Sequence, residues 1–233
     1  MNTCADCNVR TRAICQPLTE TDLDAFSRLG RRQTIASGQT LMWQGDDALL
    51  VGNVIEGVLK LSSSTADGRD QTLGIMFPSD FIGRPYGRKT EHSVVALTDA
   101  KVCTFPRSAF DDFARAHPEL EHRLLEHTLA DLDRTRQWMT LLGRKTAGSR
   151  VAAFLLGMAE RLAANMDRSA GGHTDPIRFE LPFGRQEIAE LLGLTIETVS
   201  RQITRLRQEG TIETHGRRGI AVLDLEALED CAA

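Results

Sequence analysis

The chain has 233 residues and a mass of 25.7 kDa, with a formal net charge of −4, 41% hydrophobic residues and 26% charged residues. That length accommodates two modest domains with separate cores, and the composition excludes a disordered, fibrous or collagen-like chain. An acidic total excludes a polypeptide that is basic throughout, so any nucleic-acid contact falls to a local basic face.

Met1 to Cys15 is polar and lacks the apolar core of a secretory signal, and no apolar run approaches the ~20 residues of a membrane span. These features predict a cytoplasmic protein without a membrane partner, in a compartment that keeps thiols reduced. Five cysteines there read as metal ligands or redox groups before disulfides. Cys4, Cys7 and Cys15 form C-x2-C-x7-C, and Cys103 lies far downstream. Four thiolates suit either Zn²⁺ or an iron–sulfur cluster, and spacing alone does not choose between them. A dithiol switch at Cys4 and Cys7 leaves Cys15 and Cys103 without a role. Cys231 reads as an unrelated tail thiol.

From Thr34 to about Phe110, short β-rich runs alternate with Gly and Asp turns: Leu49–Ile55, Val58–Ser62, Thr72–Phe77, Ser93–Leu97 and Lys101–Phe105. Strands at this spacing predict an antiparallel β-roll or barrel. Pro118 then opens a stretch free of Gly and Pro to Leu142, predicted as one long helix. Leu125, Thr128, Leu132, Thr135, Met139 and Leu142 alternate steps of three and four, a heptad seam that two threonines weaken. The seam favours self-association through Leu125, Leu132, Met139 and Leu142 over a helix packed only on its own domain. Asp131, Asp133, Arg134 and Arg136 flank it and tune its strength. A second helix is predicted from about Thr146 to Ala164, followed by a polar loop, Ser169 to Pro176.

Arg185–Leu192, the turn Gly193-Leu194-Thr195 and Ile196–Gln208 read as a helix-turn-helix. Ala189 is small where the helices approach, Gly193 permits the turn, and Ile196, Val199, Ile203 and Leu206 form the inward face. Glu197, Ser200, Arg201, Thr204, Arg205 and Gln208 face outward, a set able to read base edges; Thr198 joins it as a further DNA contact. Thr211–Thr214 and Ile220–Leu223 predict a hairpin wing with Arg217 and Arg218 at its tip for phosphate contact.

Gly193-Leu194-Thr195-Ile196-Glu197-Thr198-Val199-Ser200-Arg201 closely resembles the recognition helix of the FNR branch of CRP/FNR regulators. So do Asp67-Gly68-Arg69-Asp70-Gln71, Pro78-Ser79-Asp80-Phe81-Ile82-Gly83 and Leu141-Leu142-Gly143-Arg144-Lys145-Thr146, and the resemblance spans nearly the whole chain. It implies an α+β fold: a cysteine-rich segment (1–24), a cyclic-nucleotide-binding-like β-roll (25–115), a dimerisation helix (116–145) and a winged helix-turn-helix (146–233). It implies an oxygen-labile [4Fe-4S] cluster on Cys4, Cys7, Cys15 and Cys103, the x7 spacing being like that of the FnrL subgroup. It also implies that Glu197, Ser200 and Arg201 read TTGA-type half-sites of an inverted repeat in double-stranded DNA, bound by a homodimer. RNA polymerase is the further partner, through the Thr65–Arg69 loop. Ile14 either shields one cluster edge or anchors the segment. Gln137 stands where some relatives carry an acidic residue, which alters the monomer–dimer balance.

CRP-like members hold a cyclic nucleotide with a Glu and an Arg-Ser pair; Arg84 and His92-Ser93 stand there instead, which argues against cyclic AMP. A haem sensor would draw axial ligands from His92, His117, His122 and Cys103. A β-roll metalloenzyme is the reading from another class. No nucleophile elbow, P-loop or dinucleotide fingerprint is present, and the pairs Asp46/Asp47 and Asp111/Asp112 read as turn and helix-start caps, so no catalysis is expected.

Overall fold

A computed structural model of the protein describes residues 4–64, 70–163 and 176–233. By its contacts the chain divides into two compact units, Met1–Thr135 and Arg136–Ala233.

In the first unit a 3-10 turn, Cys4–Asp6, precedes α1 (Glu20–Leu29), whose N-cap Thr19 accepts the Asp22 amide. Among the described residues eight strands follow: β1 (Arg31–Ile35), β2 (Thr40–Met42), β3 (Leu50–Glu56), β4 (Leu59–Ser64), β5 (Asp70–Met76), β6 (Phe81–Gly83), β7 (Ser93–Ala96) and β8 (Ala100–Pro106). They form two antiparallel four-stranded sheets, in the orders β1-β8-β3-β6 and β2-β7-β4-β5. The roll begins three residues earlier than the sequence predicts, because Arg31, Arg32 and Gln33 pair with Thr104, Cys103 and Val102 of a distant strand. Asp67, Gly68 and Arg69 of the DGRDQ signature and the whole 65–69 loop lie outside the described residues, as do 169–175.

Strand alternation separates two cores. Ile35, Met42, Val54, Leu59, Ile82, Val94 and Val102 fill the space between the sheets. On the other face of the first sheet, Val51 and Phe105 meet Ile14, Leu18, Leu23 and Phe26 from the N-terminal side. The same core takes Phe110 and Ala114 of α2 (Arg107–Ala116) and Leu120 and Leu124 of α3. Asp111 departs from the helix-start reading: it sits inside α2, buried, bound to Arg107 at 2.7 Å and accepting the Tyr86 amide. Its carboxylate is thereby a structural ion pair.

α3 (Pro118–Arg144) has proline at its first position, as predicted, and runs from the first unit into the second. The second unit continues with α4 (Ala147–Ala163), β9 (Ile177–Glu180), α5 (Arg185–Leu192), α6 (Ile196–Gln208), β10 (Ile212–His215), β11 (Gly219–Val222) and α7 (Leu225–Ala232). Its three strands form one antiparallel sheet, β10-β11-β9. Among the described residues no helix is long and apolar enough to cross a membrane.

Candidate nucleic-acid interface and thiol cluster

The turn between α5 and α6 is set by Gly193, which adopts a left-handed backbone (φ 61°) and donates its amide to the end of α5. Thr195 then caps α6 by accepting the Thr198 amide at 3.3 Å. Ala189 and Val199 are buried where the two helices cross, and Ile203 and Leu206 continue the inward face. Ile196, assigned to that face from the sequence, is 38% exposed: it lies in the first turn, ahead of the packed part of the helix.

Glu197, Ser200, Arg201, Thr204 and Arg205 are exposed on the outer face. Hydrogen bonds from its own backbone and from Thr195 hold the Glu197 carboxyl below its ordinary value, so it presents a negative acceptor. Arg205 is drawn to Glu209 at 2.8 Å. Thr198 differs from the outward set: it is half-buried and its hydroxyl lies 3.2 Å from that of Thr195, so it builds the helix cap. Arg217 and Arg218 are exposed in the turn between β10 and β11, as the wing reading requires.

In the first unit the N-terminal segment lies against the first sheet, with Val9, Ala13, Ile14 and Leu18 buried. Cys4, Cys15 and Cys103 pack on the Phe26–Phe105 core, and Cys7, Cys15 and Cys103 pack on Val9, Ala13 and Ile55. Burial pushes the Cys103 thiol up to about 12, with the charges of Cys4, Cys15 and Cys7 adding and Arg32 opposing. Burial likewise pushes Cys15 up to about 11, with Cys7 and Cys4 adding. Cys4 is raised by burial against the nearby Arg32, which also hydrogen-bonds it. Three cysteines of the N-terminal segment and the distant Cys103 therefore meet on one face, close enough to feel one another's charge. Among the described residues no three His, Cys, Asp or Glu side chains form a ready site for a single metal ion. An all-sulfur donor set of four, all half-buried and packed on apolar side chains, fits an iron–sulfur cluster.

Ile14 is fully buried in the Phe26–Phe105 core, which fits the anchoring reading. His117 stacks on Phe113 with ring centroids 3.8 Å apart and has Asp22 3.4 Å away, and His122 lies beside Glu126. Neither belongs to the cysteine group.

The predicted seam on α3 is exposed at Leu125, Leu132 and Met139, while Leu142 is half-buried. Leu129, which the strict repeat missed, is exposed beside Leu125 and Leu132. Thr128 and Thr135 donate their hydroxyls back to the carbonyls of Leu124 and Asp131 at 2.8 and 2.9 Å. Each seam threonine thus satisfies its polar group within its own helix.

Two family models match: a cyclic nucleotide-binding domain over residues 32–117 and a Crp-like helix-turn-helix domain over residues 149–231. The chain is 40% identical over 228 residues to the transcriptional activator protein FnrL of Cereibacter sphaeroides, covering 98% of this chain and 91% of that protein. It belongs to the CRP/FNR family of transcription regulators. It is also 41% identical over 231 residues to the nitrogen fixation regulation protein FixK of Bradyrhizobium diazoefficiens, covering 99% and 94% of the two chains. The structure of FixK2 from Bradyrhizobium japonicum superposes with a TM-score of 0.77 at 28% identity, over 88% of this chain and 98% of that one. This CRP/FNR member is thus a DNA-binding regulator, and its curated relatives are regulators rather than enzymes.

Within this CRP/FNR chain the cyclic-nucleotide positions are spent on local structure. Arg84 pairs with Glu91 at 2.9 Å, and the Ser93 hydroxyl accepts the Gln44 amide at 3.0 Å. Sequence reasoning missed Arg32, Asn53, Arg123 and His127. Arg123 donates to the Arg12 carbonyl at 3.4 Å, and His127 bonds the same residue's backbone. Two α3 side chains therefore grip the middle of the cysteine segment.

Proposed function

We propose that this CRP/FNR member is a cytoplasmic, oxygen-responsive transcription regulator that binds a TTGA-type inverted repeat as a homodimer when a [4Fe-4S] cluster is bound at its N-terminus. The observation that carries this reading is the meeting of Cys4, Cys7, Cys15 and Cys103 on one face of the first sheet. The likeness to FnrL supports it.

Cys4, Cys7, Cys15 and Cys103 would hold the cluster, which supplies a centre that oxygen alters. The neutral, proton-bearing state favoured for Cys15 and Cys103 means that both must lose protons to become ligands. Ile14 and Leu18 anchor the segment, and Arg123 and His127 tie its Arg12 carbonyl to α3. Docking of the segment braces the turns of α3 that carry Leu125 and Leu129. The exposed leucines and Met139 pair with those of a second copy, setting two recognition helices about 34 Å apart, one DNA turn. A monomer reads one half-site only, so release of the segment lowers DNA affinity through lost bivalency. At each half-site Arg201 donates to guanine, Glu197 accepts from cytosine, Ser200 serves a base or phosphate, and Arg217 and Arg218 hold the backbone. RNA polymerase contact falls to the 65–69 loop, outside the described residues.

The test measures iron and acid-labile sulfide on anaerobically purified protein, with gel-shift binding to the palindrome before and after air. About four of each per chain, with bleaching and loss of the shifted band in air, is the expected result. Zinc, haem or no metal in protein that still shifts the palindrome would overturn the cluster and leave the DNA reading standing.

A further inference from the structure

The buried part of the first-sheet face that receives the cysteine segment is apolar apart from one amide. Val51, Ile55, Phe81 and Phe105 build it, yet Asn53 stands in its middle on β3, only 4% exposed. Its register partners are Cys103 on β8 and Phe81 on β6. Directly paired residues of antiparallel strands put their side chains on the same face, with Cβ atoms about 4.5–5.5 Å apart. Asn53 is therefore the lateral neighbour of the Cys103 sulfur. Gly52 keeps the strands tight at this point, because a Cβ there would lie 2.2 Å from the Cys103 carbonyl oxygen.

The Asn53 Oδ1 atom is buried and makes no hydrogen bond. An orphaned buried polar atom destabilises the fold, and an apolar residue of similar volume would remove that penalty. A carboxamide carries both an acceptor and an NH₂ donor, and a half-turn about its last bond exchanges them within the same volume. Beside the protonated Cys103 thiol its oxygen is left without a partner; beside a thiolate or a cluster sulfide its NH₂ group can donate. On the other flank of Cys103, its β1 register partner is Arg32, whose guanidinium also reaches Cys4. Cys103 thus stands between a cation and an amide on neighbouring strands of one sheet.

We propose that Asn53 is a positioning residue for the sulfur centre, donating a hydrogen bond that holds Cys103 and stabilises the anionic cluster against oxidation, with Arg32 balancing charge from the other side. This rests on the reading of the four cysteines as cluster ligands.

Asn53→Leu and Asn53→Ala are compared with the wild type in two states. In the metal-free protein, Asn53→Leu should melt at or above the wild-type temperature, because it removes an unsatisfied atom and keeps the volume. In anaerobically reconstituted protein both variants should lose iron–sulfur absorption in air about tenfold faster, the scale of a lost outer-shell partner, and show a lower midpoint potential. The opposite signs in the two states separate this role from a packing role. Equal bleaching rates and potentials in loaded wild type and variants would overturn it, as would an Asn53→Leu protein destabilised in the metal-free state without faster bleaching. Wild-type protein that takes up neither iron nor sulfide would sink the cluster reading and this proposal together.

Discussion

Arg150 of α4 donates from Nη1 to the carbonyl oxygen of Leu192, the last residue of α5, at 3.1 Å. Its other nitrogens reach the carbonyls of Leu142 at 2.7 Å and Lys145 at 3.0 Å, where α3 ends. One guanidinium therefore caps the C-termini of two helices and fixes the helix-turn-helix to the end of the long helix. The arrangement needs a planar group with several fixed donors. Arg150→Ala should lower the unfolding free energy by about 2 kcal/mol, the scale of a lost charged hydrogen-bond set, and Arg150→Lys should recover less than half. Urea denaturation followed by circular dichroism reads both; a lysine variant as stable as the wild type would show that only the charge matters.

The outer face of α6 and the wing should separate cleanly in binding experiments. Arg201→Ala is expected to lose about 1–3 kcal/mol of preference for the cognate half-site while still dimerising. Arg217→Ala should instead weaken all sequences alike and reduce the salt dependence by about one ion per half-site. Fluorescence anisotropy across a salt series on cognate and scrambled duplexes distinguishes the two. A wing variant that discriminated less between duplexes would move Arg217 into the reading set.

Leu129 and Leu132 are exposed one turn apart on α3. Leu129→Glu and Leu132→Glu should each raise the dimer dissociation constant by roughly tenfold or more, about 1.4 kcal/mol, without lowering the melting temperature of the monomer. Sedimentation velocity checks the first and calorimetry the second. A dimer unaffected by both substitutions would place the interface elsewhere.

His127 supplies a pH dependence. Burial lowers its pKa, Arg123 lowers it further, and the Arg12 backbone bond, Asp80 and Asp131 oppose this. A folded pKa below the unfolded value near 6.5 means that the native chain favours the neutral ring. The associated stability is present above that unfolded value and is lost as pH falls through the lower folded one. Between about pH 7.5 and 5.5 the wild-type melting temperature should fall more than that of His127→Gln. Parallel melting curves for the two proteins would show that His127 does not titrate in the native range.

The helix-turn-helix was legible because its constraints are local. Small, flexible and apolar residues at Ala189, Gly193 and Val199 sit within eleven positions, and both helices span the residues that the pattern indicates. The long helix was legible for the same reason, through Pro118 and the unbroken run behind it. Short strands such as β2 and β6 were not, since three residues carry no periodicity and their pairing partners are remote. Asn53 and Arg32 read as ordinary strand residues until the register puts both beside Cys103. Helical periodicity puts Ile196 on the inward face because it is blind to a first turn, where nothing packs overhead; in the same turn the Thr198 hydroxyl lies beside the Thr195 cap.

The grip of Arg123 and His127 on the Arg12 carbonyl lies on the same two turns of α3 as Leu125 and Leu129. Whatever free energy links segment docking to pairing of that helix acts equally in both directions. On the proposed reading, a palindrome that stabilises the pair also stabilises the docked segment, so operator DNA should slow the loss of iron from cluster-loaded protein in air. The regulator would then be least sensitive to its signal while seated on its own site.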